Sequence, residues 1–98
     1  MSNKQFPVVL KAVAGQNYTV YAYMRDGTVR KVSVKHLVEL GGIWERLKDE
    51  EFFRNALTVL NDTVAWDLTG KRDPYECIDI DPFAVAECEI VSVPKQKE

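Results

Sequence analysis

Polar and apolar positions alternate from Tyr18 to Arg25. Val20, Ala22 and Met24 fall on one side and Thr19, Tyr21, Tyr23 and Arg25 on the other, the period of two that a half-buried strand requires. Thr28 to Val34 reads as a second strand, and the Asp26-Gly27 pair between them tolerates the positive φ of a tight hairpin turn. With a two-residue loop the register sets Arg25 opposite Thr28, Tyr23 opposite Arg30 and Tyr21 opposite Val32, so Tyr23 and Arg30 are expected as cross-strand neighbours. Phe6 to Val13 reads as an earlier strand ended by the turn residues Gly15-Gln16-Asn17.

The period then lengthens. Lys35 to Leu40 predicts a short helical turn, halted by Gly41-Gly42 where left-handed conformations are needed. Ile43, Trp44 and Leu47 follow as an apolar plug. Asp49 has the chemistry of an N-cap, Glu50 and Glu51 suit the first turn of a helix, and Phe52, Phe53, Ala56 and Leu57 give that helix a buried side. Thr58-Val59-Leu60 and Thr63-Val64-Ala65-Trp66 flank the turn pair Asn61-Asp62 as a second tight hairpin. Leu68 to Glu76, with Gly70, Pro74 and four charges, predicts an exposed loop. Asp81-Pro82 is an N-cap followed by proline at the first helical position, opening a short helix through Phe83 and Val85. Cys88 to Val93 reads as a last strand, before a charged tail expected to fray from about residue 94. Trp44, Phe52, Phe53 and Trp66 are the expected aromatic core. The sum is one small α+β domain over residues 1–98, with antiparallel β-hairpins packed on one main helix at about residues 49–57 and short helical turns beside it.

Composition narrows the function classes. Of 98 residues, 46% are apolar and 29% charged, which suits a single globular core and not a disordered chain. The formal charge of −2 conceals an asymmetry: residues 1–48 hold 8 Lys/Arg against 3 Asp/Glu, and residues 49–98 hold 5 against 12, giving +5 and −7. Such halves are expected to attract each other within the fold or between subunits. Met1-Ser2-Asn3-Lys4-Gln5 does not resemble a signal peptide, and Cys77 and Cys88 lack zinc-type spacing, so reduced thiols and a cytoplasmic location are expected, with no membrane partner.

The order Leu47-Lys48-Asp49-Glu50-Glu51-Phe52-Phe53, Thr63-Val64-Ala65-Trp66 and Asp79-Ile80-Asp81-Pro82 resembles a family of small bacterial proteins catalogued as domain of unknown function 2442. Met24-Arg25-Asp26-Gly27 with Val29 and Arg30 is similar to that family's N-terminal half, so the resemblance spans roughly residues 8–87. It implies a compact α+β fold and no established activity, with members often encoded beside another small protein in an arrangement like a toxin–antitoxin pair. The chain departs from the family's pattern at Ser33, where an Asp is usual, and in the longer segment Asp67 to Ile78.

No pattern of residues predicts catalysis. His36 has no spacing that pairs it with Cys77 or Cys88 as a nucleophile dyad. Asp73, Glu76, Asp79 and Asp81 lack the rhythm and closing Glu of a calcium loop, and Thr69-Gly70-Lys71 lacks the preceding glycine and following hydroxyl of a phosphate loop. Neither an enzyme, a metal nor a cofactor is expected. The candidate interaction face is Tyr21, Tyr23, Arg25 and Arg30, whose aromatics and cations suit a protein partner, self-association or, as the alternative, a nucleic acid bound by an antitoxin-like autorepressor.

Overall fold

The structure is a computed structural model that describes residues 6–92; Met1–Gln5 and the tail expected from about residue 94 lie outside the described residues. The chain order is β1 (Val9–Ala14), β2 (Thr19–Met24), β3 (Val29–Ser33), α1 (Lys35–Leu40), a 3₁₀ helix (Gly42–Lys48), α2 (Glu50–Ala56), β4 (Leu57–Leu60), β5 (Thr63–Asp67), β6 (Cys77–Asp79), α3 (Pro82–Ala86) and β7 (Glu89–Ile90). Two antiparallel sheets result, one ordered β1-β2-β3-β7 and the other β4-β5-β6. This is the expected α+β class. The last strand returns to the first sheet, where Ile90 faces Arg30 and Glu89 faces Lys31.

The core forms where the apolar faces of the sheets and helices meet. Val20, Ala22, Met24 and Val32 come from the first sheet and Val64, Trp66 and Ile78 from the second, joined by Val38, Leu47, Phe53 and Val85. Trp66 is 0% exposed, and its indole N–H donates to the Phe53 carbonyl at 3.1 Å, so the largest core residue leaves no polar atom unpaired. Tyr18 lays its ring edge on Phe53 at 5.3 Å between centroids and donates its hydroxyl to the Lys48 carbonyl at 2.6 Å. The Val9 N–H donates to the Asp62 carbonyl at 2.9 Å, tying the start of β1 to the β4–β5 turn.

The expected plug is divided by the geometry of its helix. With three residues per turn, Trp44 and Leu47 share a side, and Leu47 is fully buried with Trp44 packed against the core. Ile43 falls on the other side and is 69% exposed. Asp49 caps α2 as expected, accepting from the N–H groups of Glu51 and Phe52, and Asp81 caps α3 by accepting from Phe83. Phe53 is core, whereas Phe52 is half-buried beneath the Arg46 guanidinium, 4.4 Å from its ring centroid.

The two hairpins turn differently. Asn61 and Asp62, at φ 55° and 63°, form the expected two-residue loop that pairs Leu60 with Thr63. In the first hairpin the loop has three residues, Arg25 to Gly27. Met24 N–H donates to the Thr28 carbonyl, Gly27 N–H donates to the Met24 carbonyl, and Gly27 takes φ 93°. That is a type I turn closed by a glycine bulge, and the Asp26 carboxylate stabilises it by accepting from the Thr28 N–H and hydroxyl. The expected register is therefore corrected by one residue: Tyr23 pairs with Val29, Ala22 with Arg30 and Tyr21 with Lys31.

The segment after β5 is a folded loop and not a free one. The Asp67 carboxylate accepts from the N–H groups of Thr69, Gly70 and Arg72. Arg72 then donates to the Thr58 hydroxyl at 2.6 Å and the Val59 carbonyl at 3.0 Å, folding the loop back on the sheet whose Ala65 is fully buried. Thr69-Gly70-Lys71 is a turn around a carboxylate of its own chain. Strand β6, which is not among the elements that the sequence predicts, follows it and completes the second sheet.

Candidate functional site

The side of the first sheet that faces away from the core carries the candidate site. Cross-strand pairing places Val13 beside Tyr21 and Tyr21 beside Lys31, and places Lys11 beside Tyr23 and Tyr23 beside Val29. Lys11, Val13 and Lys31 are exposed, while Tyr21, Tyr23 and Val29 are half-buried. The Lys11 ammonium sits 5.4 Å from the centroid of the Tyr23 ring, a cation–π arrangement. Tyr21 lies against Gly15, where an added Cβ would come within 2.7 Å of the tyrosine Cε2, so the glycine seats that ring. Next to this face a bulge between Val9 and Lys11 leaves Leu10 61% exposed.

The four residues singled out from sequence do not form one face. Tyr21 and Tyr23 are together on the outer side, but Arg30 shares the inner side of the sheet with Ala22 and Val32. A one-residue register shift reverses every side chain of a strand, and this is what moved Arg30. Lys11 and Lys31 supply the outer face's positive charge instead, and alternation along β1 and β3 in the three-residue-loop register was the signal for them. Arg25 is in the loop, its guanidinium donating to the Phe6 carbonyl at 3.4 Å. Arg30 donates from Nη1 to the Cys88 carbonyl at 2.9 Å, while its Nε is buried without a partner. Both arginines, with Asp26, line a cleft of about 300 Å³ whose walls include Phe6 and Phe83.

The remaining candidates stay apart. His36 is exposed in the first turn of α1. Cys77 and Cys88 are free, and their thiols donate to the Pro74 and Ala84 carbonyls. Desolvation, reinforced by Asp79, pushes the Cys77 thiol above its usual pKa; desolvation also raises Cys88, although Arg30 opposes it. A raised pKa lowers the fraction of thiolate, the form that acts as a nucleophile. Among the described residues no group of three or more His, Cys, Asp or Glu is placed to hold a metal ion. Nor is any described helix long and apolar enough to cross a membrane.

No family model, curated protein or solved structure matches the chain.

Proposed function

We propose that the chain is a non-enzymatic protein-interaction or regulatory module, which binds a partner protein or a second copy of itself through the outer face of β1, β2 and β3. The observation that carries this reading is the outward-facing band of half-buried Tyr21, Tyr23 and Val29 with exposed Val13, rimmed by Lys11 and Lys31. Tyrosines held rigidly on a sheet present much contact area at little cost in entropy, and a rim of lysines leaves water on the margin while the centre is buried. The free thiols suit a cytoplasmic location, which belongs to the same proposal. So does kinship with the small bacterial family that the motif order resembles, including its toxin–antitoxin-like gene arrangement.

The second reading is a nucleic-acid-contacting regulator of antitoxin or autorepressor type, favoured by the same tyrosines and lysines. Two features weigh against it: the Lys11 ammonium already lies over the Tyr23 ring, where a base would stack, and Arg25 and Arg30 are engaged elsewhere. An affinity capture from native lysate, run with and without nuclease, separates the two. The expected result is a protein that survives nuclease and is lost when the bait carries Tyr21→Ala and Tyr23→Ala. Recovery that depends on intact nucleic acid would replace the first reading by the second, and capture undiminished by the double substitution would remove this face from both.

A further inference from the structure

We propose that the cleft between the first hairpin and α3 binds a small organic monoanion, a carboxylate carried on an aromatic or branched apolar body. The shape supplies the apolar half. Phe6 and Phe83 meet edge to face at 5.8 Å and 80°, and Ala86 of α3 and Val8 line the same space. A volume of about 300 Å³ is at the small end of ligand pockets and accommodates one ring with its carboxylate.

The charged half comes from the register of the first hairpin, which brings Arg30 to the side of the sheet facing α3. Arg25 and Arg30 against Asp26 give the lining a formal charge of +1. Among the described residues neither arginine forms an ion pair with Asp26 or any other carboxylate. Asp26 instead directs Oδ1 to the Thr28 N–H and hydroxyl. Arg30 uses Nη1 on the Cys88 carbonyl and leaves Nε, a buried charged donor, without an acceptor. Such a donor is costly to leave unpaired, and the acceptor matching the planar fork of a guanidinium is a carboxylate. The Cys88 carbonyl occupies Nη1 alone, and the cleft that Arg30 lines is walled by Phe6 and Phe83.

The test is a ¹H–¹⁵N NMR titration of the full chain with phenylacetate, following the Arg30 Nε–H signal. The expected result is a saturable shift with a Kd of about 1 mM, the range for a ligand of this size. Phenylacetamide, which lacks the charge, and acetate, which lacks the ring, should each bind about tenfold more weakly or worse. Arg30→Gln should abolish binding. Because that change also removes the bond to Cys88, Ala86→Leu serves as a second variant that keeps both arginines, fills the cleft and should equally abolish binding. A tetrapeptide ending in phenylalanine distinguishes the source of the carboxylate: tighter binding than phenylacetate, lost on amidation of its C-terminus, assigns the site to a chain end, and weaker binding assigns it to a free acid. An Arg30 Nε–H signal unmoved at about 10 mM phenylacetate, equal shifts with phenylacetamide, or undiminished binding by a folded Ala86→Leu variant would overturn the proposal.

Discussion

At the scale of single residues, a few side chains fasten the fold by hydrogen bonds. Asp49 satisfies two N–H groups at the start of α2, so Asp49→Ala is expected to cost about 1 kcal/mol, read as a lower urea midpoint with unchanged slope. Trp66→Phe would remove the hydrogen bond to the Phe53 carbonyl and open a small void, at a cost of about 2–3 kcal/mol by the same measurement followed by circular dichroism. Asp67 makes stability depend on pH. Partial desolvation raises its pKa, but the N–H groups of Arg72, Thr69 and Gly70 outweigh this and hold the carboxyl below its usual 3.8. A folded pKa below the unfolded one means that the stabilisation is complete above the unfolded value and is lost as pH falls through the folded value. Acid titration of the urea midpoint below about pH 4 should therefore be shallower in Asp67→Asn than in the parent chain.

At the scale of elements, the first hairpin decides which residues meet. Gly27 at φ 93° permits the three-residue loop, and Gly27→Ala should destabilise the hairpin by about 1 kcal/mol through backbone strain, since nothing lies near the added Cβ. Cross-strand NOEs between Tyr23 and Val29 and between Tyr21 and Lys31 are expected; contacts of Tyr23 with Arg30 in their place would restore the two-residue loop and return Arg30 to the outer face. Gly15→Ala should displace the Tyr21 ring and weaken partner binding more than it weakens the fold, because the clash is with the movable end of a side chain.

For the whole molecule, the described residues show no ion pair between the oppositely charged halves. Among the described residues the one ion pair is Lys48 with Glu45 at 3.6 Å, exposed and contained in the first half. Lys31 and Glu89 are the one place where the β3–β7 register sets opposite charges from the two halves side by side. Association between copies, as proposed above, would draw on this asymmetry and should weaken with salt. Sedimentation at about 20 mM salt should give a larger species than at about 500 mM, because the Debye length contracts several-fold between them. A monomer under both conditions would rule out self-association and leave the outer face to a different protein.

The sequence by itself determined the elements whose causes are local. Asp49 and Asp81-Pro82 start helices, Gly41-Gly42 stops one and Asn61-Asp62 closes a hairpin, because capping and turn geometry depend on a few consecutive residues. The alternation of Val20, Ala22 and Met24 likewise identified the buried side of β2. Tertiary structure decided what depends on partners remote in the chain. The pairing of β7 with β3, the recruitment of Cys77–Asp79 into the second sheet and the folding of Arg72 onto Thr58 all join residues that no local pattern connects. The candidate site lay on that boundary. Its tyrosines were legible from their spacing, but Asp26-Gly27 fits loops of two or three residues, and the folded chain has the longer one. That choice buries Val32, sends Arg30 to the cleft beside α3 and leaves Lys11 and Lys31 beside the tyrosines.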